Sequence, residues 1–206
     1  MATTTAGTFS GSGASALTVE ERLARGPFLR GDTRTLVGAL LFAVAFSANM
    51  QITERIDQIW TGGLAVPLGH TFAQLWWPTA AIFFGLTGAL VVANFNPIIA
   101  VLSATHPLAW SFFFLNMAEL VPLAFLFRGH FRRNSDISLP TFLVYIAIGD
   151  FFANLAQAIG LNMLVLKLDL TQILILFIWQ WGMAIIIGGP MGYYFYKAVR
   201  RSGVFE

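Results

Sequence analysis

The chain has no cysteine and very little charge: among its 206 residues only 11% are Asp, Glu, Lys or Arg. Without thiols there can be no disulfide, no thiolate metal site and no cysteine nucleophile. The scarcity of charge is as informative, because a soluble domain carries about 25% charged residues. Low-complexity tracts are confined to the Ser/Thr/Gly/Ala-rich start, and no secretory apolar core precedes Leu36. Nucleotide-cradling glycine loops, nucleophile elbows and zinc-helix motifs are also missing. The basic residues form separate clusters between apolar segments, with no single basic stripe, so nucleic-acid binding is excluded.

What the chain has in abundance is apolar surface. It is 57% hydrophobic with 20 Phe and 6 Trp, and its mean hydropathy of +0.72 makes water the wrong solvent for most of it. A span needs roughly 20 apolar residues, so the chain from residue 36 onward has room for about six spans and no second folded domain. The fold class expected is therefore all-α, an integral membrane bundle of about six transmembrane helices. Residues 1–35 read as a disordered cytoplasmic tail with a short surface helix over 18–24, residues 36–201 as the membrane domain, and 202–206 as a short C-terminal tail.

The expected spans cover residues 36–52, 72–93, 98–104, 108–127, 139–166 and 171–199. The polar run 53–58 ends the first, and its Glu54, Arg55 and Asp57 read as solvated loop charges. Asn94-Phe95-Asn96-Pro97 reads as the turn between the second and a short third span. Basic clusters lie before residue 36, at Arg128–Arg133 and at Lys197–Arg201. Lys/Arg excess marks cytoplasmic loops, and six spans with both termini cytoplasmic put all three clusters on that side. Five spans would place one cluster outside.

Polar side chains inside a span need a partner or a purpose. Asn116 and Glu119 lie three apart on the fourth span and share a face. On the fifth, Asp150, Asn154 and Gln157 recur at i, i+4 and i+7, and on the sixth Gln180 lies between Trp179 and Trp181. Such amides also serve simply to join helices, at about 0.6 kcal/mol each. A site for a polar solute accounts for the group together. His70, His106 and His130 are dispersed, without metal-site spacing or neighbouring carboxylates in the sequence, so no metal, cofactor or catalytic residue is expected. Small residues at Ala39, Ala43 and Ser47, at Gly85 and Ala89, and at Gly188 and Gly192 allow helices to approach closely, either within the bundle or against a partner.

The size, the Ala39/Ala43 stripe, the long first outer loop, the helix Asn116-Met-Ala-Glu-Leu-Val-Pro-Leu-Ala-Phe-Leu-Phe-Arg128 leading to a basic loop, and the closing Gly189-Pro-Met-Gly-Tyr-Tyr-Phe-Tyr-Lys-Ala-Val199 together resemble the substrate-binding S components of energy-coupling-factor vitamin transporters. The resemblance spans residues 36–201. The long N-terminal tail and the very short third outer loop depart from it. It implies a non-enzymatic binding subunit in a prokaryotic plasma membrane, with Ala39 and Ala43 docking a transmembrane coupling subunit driven by two ATPases. It also implies a solute site at Asn116, Glu119, Asn154, Gln157 and Gln180, with Trp179 or Trp181 as a stacking surface. An acidic Glu119 among Trp rings suits a cationic heteroaromatic solute, such as thiamine or its pyrimidine precursor. The alternatives are an accessory or assembly subunit of a larger membrane complex and a membrane enzyme acting on lipid or isoprenoid.

Overall fold

The computed structural model describes residues 17–104 and 106–205, and these are helical with no strand among them. Helix α1 (Val19–Arg25) opens on a capping box: Thr18 Oγ1 accepts from Glu21 N, and Glu21 Oε2 accepts from Thr18 N. Those reciprocal bonds satisfy two of the free amide groups at a helix start. The short helix expected over 18–24 is present, and it seats on the bundle through Val19 and Leu23, which are fully buried, while Arg25 stays exposed. Residues 17–32 thus dock instead of forming the free tail expected from their polarity; residues 1–16 of that tail lie outside the described residues.

Helix α2 (Thr33–Thr61) starts at Asp32, whose carboxylate accepts from Thr35 N at 2.9 Å. The bonds from the Thr35 amide and hydroxyl hold the Asp32 carboxyl below the usual carboxylate range, against the opposing effect of burial. The helix continues through the polar run 53–58, which does not end it. Glu54 and Asp57 are fully buried, not solvated, because each meets a specific partner. Asp57 accepts from the amides of Leu68 at 3.0 Å and Gly69 at 2.7 Å, at the start of the next helix, where a carboxylate complements the helix dipole. Glu54 accepts from Asn96 Nδ2 at 2.9 Å.

Helix α3 (Pro67–Ser103) contains the break that organises the bundle. Gly85 has φ 62° and ψ −148°, a conformation almost closed to residues with a Cβ. A straight helix of this length would hold its ends about 55 Å apart at 1.5 Å per residue. Instead His70 and Asn96 line one cavity, and a Cβ at Gly88 would lie 2.7 Å from the Ala80 carbonyl oxygen. The chain therefore reverses at Gly85, and α3 is a helical hairpin. Thr87 Oγ1 pins the bend by accepting from Arg30 N at 2.7 Å and donating to Arg30 O at 2.9 Å. The expected turn at Asn94–Pro97 is helix instead: Asn94 bonds back to the Leu90 carbonyl and Asn96 reaches Glu54, so neither side chain stabilises a turn.

Helix α4 (Phe112–Phe131) follows a single 3-10 turn (Ala109–Ser111). Helix α5 (Leu139–Ala156) passes into a π-helical segment (Gln157–Met163). Helix α6 (Leu170–Met183) opens on an Asp169–Gln172 capping box and runs through a second π segment (Ala184–Gly188) into α7 (Gly189–Ser202). Among the described residues, five helices, Thr33–Thr61, Pro67–Ser103, Ala109–Phe131, Leu139–Met163 and Leu170–Ser202, are long and apolar enough to cross a membrane.

The core centres on the α3 hairpin, where Phe46, Ile82, Leu120, Leu123, Phe127, Phe142 and Tyr196 are all buried. Ala39 and Ala43 belong to this core with no exposed surface. The small-residue stripe on α2 is therefore an internal packing face, a correction to the docking role the resemblance implied. The exposed side of α2 carries Leu36, Val37, Leu40, Leu41 and Val44 instead. On α7, a Cβ at Gly192 would fall 2.1 Å from the Gln74 carbonyl oxygen, so only glycine lets α7 press the first arm of α3 inward. Along Leu170–Ser202 the bulky apolar side chains Leu174, Ile175, Ile178, Ile186 and Ile187 stay exposed, as lipid contact requires.

All three basic clusters meet at the α1 end of the bundle. Arg22 donates to Phe205 O, Arg128 to Gly26 O and Arg132 to Ala24 O, while Arg200 pairs with Glu20. Of the 12 Lys and Arg, only Arg55 and Lys167 lie toward the opposite end.

Candidate functional site

In the half of the bundle away from α1, polar side chains from α3, α4, α5 and α6 converge. His70 and Gln74 stand one turn apart on the first arm of α3. Gln74 Nε2 donates to Glu119 Oε1 at 2.7 Å, and His70 Nε2 lies 3.3 Å from Glu119 Oε2 and 3.2 Å from Asp150 Oδ1. Glu119 and Asp150 are fully buried, and His70 is 6% exposed. Glu119 is ten residues into Ala109–Phe131 and Asp150 thirteen from the end of Leu139–Met163, so both sit roughly 15–20 Å inside their helix ends. That is hydrocarbon depth in a bilayer whose apolar core is about 30 Å thick.

A chain of amides leads from this triad toward the helix ends. Asn154 Nδ2 donates to the Asp150 carbonyl at 2.9 Å, Gln180 Nε2 to Asn154 Oδ1 at 3.4 Å, and Gln157 Nε2 to Gln180 Oε1 at 3.5 Å. Gln180 Oε1 also accepts from Val66 N at 2.9 Å. The loop 62–66 is thus fastened to α6, and its backbone is satisfied where irregular chain enters the apolar layer. Gln157 starts one π segment and Gln180 lies one turn before the other; such segments leave the regular i to i−4 ladder and recur at functional sites. A cavity of about 20 Å³ lined by Met50, His70, Trp77, Phe112, Asn116 and Gln157 adjoins the cluster, room for about one water molecule.

Of the residues read from the sequence, Glu119, Asn154, Gln157 and Gln180 come together, joined by Asp150. Asn116 lines the cavity but spends its amide on the Ala93 carbonyl at 3.1 Å, holding the second arm of α3. Trp181 turns away: its Nε1 donates to Ala147 O at 3.0 Å and its ring meets Phe151 and Phe177. Trp179 pairs with Trp60 near the surface. The aromatic wall at the centre is Trp77, edge-on to His70 at 5.8 Å. His70 and Gln74 were missed as site residues. The signal for them was their i, i+4 spacing on one face of α3, hidden because His70 sits at the edge of the apolar run; the carboxylates that meet His70 are close in space and remote in sequence.

Over this end lies His106, fully enclosed beside Gly63 and Phe112. Burial pushes its pKa down to about 4, so the ring is neutral at neutral pH, and Nδ1 accepts from Leu108 N at 3.1 Å.

No family model, curated protein or solved structure matches the chain.

Proposed function

We propose that the chain is a membrane-embedded binding subunit for the uptake of a small polar solute, cationic or rich in hydrogen-bonding groups. The observation that carries this reading is the gathering of His70, Gln74, Glu119, Asp150, Asn154, Gln157 and Gln180 at bilayer depth. Burying so many polar groups in a small bundle is costly, and such groups mark solute pathways more often than packing. Each arm of α3, 67–84 and 86–103, is about 27 Å long, enough to span the hydrocarbon layer. Counting the arms separately makes six crossings, with residues 17 and 205 on the side of the basic clusters, which the positive-inside rule assigns to the cytoplasm. The site then opens outward.

A vitamin-sized solute needs a pocket of several hundred Å³, so uptake of such a ligand begins with release of the loop 62–66 from Gln180. Energy comes from a partner, because the sequence carries no nucleotide-binding motif. This agrees with the resemblance to vitamin-transporter S components, and a thiamine-like or pyrimidine solute remains the proposed class. The docking surface for a coupling subunit is the exposed apolar side of the bundle and not Ala39 or Ala43.

Mass spectrometry of small organic molecules released from the purified chain tests the reading, followed by equilibrium dialysis against radiolabelled thiamine. A retained heteroaromatic compound, lost on Glu119→Ala, is the expected result. Wild-type protein that retains no organic solute and binds no thiamine at micromolar concentration would sink it.

A further inference from the structure

The geometry points to a divalent transition-metal site built from His70 Nε2, Glu119 Oε2 and Asp150 Oδ1. These three atoms lie within 4.8 Å of one another, and the two measured separations from the imidazole nitrogen are 3.3 and 3.2 Å. Four ligands around Zn²⁺ at bond lengths of about 2.0–2.1 Å stand about 3.3 Å apart at the tetrahedral angle. The two separations from His70 Nε2 therefore match the edges of a metal coordination polyhedron.

Hydrogen bonding argues the same way. An imidazolium paired with two acids would aim its N–H at one of them. Yet Glu119 Oε2 and both carboxylate oxygens of Asp150 are buried without a hydrogen-bond partner. His70 Nε2 stands at almost equal distance from one oxygen of each acid, so a single N–H cannot be aimed well at both. As metal ligands, His70 would be neutral and both carboxyls ionised, which sets two negative charges at a depth where unpaired charge is strongly unfavourable. One divalent cation cancels both.

The surroundings also fit. Gln74 donates to Glu119 Oε1 at 2.7 Å, leaving Oε2 turned toward His70, the orienting role that outer partners play for metal ligands. His70 also borders the small cavity, which offers room for a water molecule as an exchangeable fourth ligand. One nitrogen and two carboxylate oxygens suit Zn²⁺, Co²⁺, Ni²⁺, Fe²⁺ or Mn²⁺ more than a soft ion such as Cu⁺. The inference concerns the centre of the proposed uptake site but does not rest on that reading, since an ion here would serve a carrier or another membrane protein alike.

The experiment uses the full chain in detergent, stripped with chelator, desalted and loaded with Zn²⁺ alone. One Zn²⁺ per chain should survive a second desalting and raise the melting temperature. Glu119→Gln and Asp150→Asn, which preserve side-chain size, should each weaken binding at least about 100-fold. His130→Ala, remote from the centre, should leave it unchanged. Because a misfolded variant would also lose the ion, Co²⁺ loading of the wild type gives a second reading: visible absorption bands of a low-symmetry site, displaced one for one by Zn²⁺. Wild-type protein that keeps no Zn²⁺, or variants that keep as much as wild type, would overturn the assignment. Wild-type protein that keeps no Zn²⁺ yet retains an organic solute would remove the ion and leave the uptake reading standing.

Discussion

Two charge clusters sit at different heights in the same bundle, one running from buried Glu20 out to exposed Asp136 and one fully enclosed, and they are completed in different ways. Near α1, Glu20 Oε1 accepts from Tyr196 Oη at 2.6 Å and pairs with Arg200 Nε at 2.8 Å, while Asp136 pairs with both Lys197 and Arg200. Two acids face two cations there, and the cluster fastens α1 and the loop before α5 to α7. Burial by itself would lift the Asp136 carboxyl, but the Lys197 ammonium beside it holds it below the usual carboxylate range. In the other half, Glu119 and Asp150 face a single imidazole, and three of their four oxygens accept no hydrogen bond. The first cluster pairs each acid with a cation of its own and fastens the fold; in the second, two acids share one imidazole, and the proposed ion would complete it.

The contrast can be broken most directly at Glu20. Glu20→Ala strips Arg200 and Tyr196 of a buried acceptor and should lower stability by about 2–3 kcal/mol, read as a lower midpoint in SDS titration of the detergent-solubilised protein. Tyr196→Phe removes one donor from the same carboxylate and should cost about 1–2 kcal/mol; an unchanged midpoint would mean that the cluster contributes no stability. Asp150→Asn sharpens the other side. Removing one of two like charges from an unbalanced buried cluster should alter the midpoint by less than about 1 kcal/mol, with a gain as the expected sign in metal-free buffer. A loss as large as that of Glu20→Ala would make the two clusters equivalent.

The smallest effect is one of pH, at His106. Its pKa in the folded protein is lowered to about 4 from an ordinary value near 6.5, so between these values the opened loop binds more protons than the closed one. Closure is at full strength above about pH 6.5, weakens as pH falls toward 4, and loses nothing further below that. Amide exchange at Gly63 and Leu108 should accelerate across that window in the wild type and much less in His106→Gln.

Much of this arrangement was legible in the residues, and the parts that were not share a physical cause. Asp150, Asn154 and Gln157 announced themselves by helical spacing in an apolar run, and Glu119 by being an acid inside one. Hydropathy ended α2 too early because Glu54 and Asp57 look like loop charges until their partners, Asn96 and the amides of Leu68 and Gly69, are in place. Asn94–Pro97 has the composition of a turn in water, yet membrane helices tolerate proline where neighbours satisfy the backbone. The true reversal at Gly85 lies inside unbroken apolar sequence, where one positive φ replaces the usual polar punctuation. The docking of α1 was hidden for a similar reason: its polar composition reads as a tail, while Val19 and Leu23 are enough to seat it.

The bond from Arg22 to the Phe205 carbonyl has a consequence for biosynthesis. At about 5–20 residues per second, the ribosome takes on the order of ten to forty seconds to travel from one of these residues to the other. Helix α1 leaves the ribosome first, yet this clasp can close only after every later helix has been made. Its closing therefore follows the synthesis of α2 to α7, and a nascent chain halted before residue 205 holds α1 by its other contacts alone, with this clasp still open.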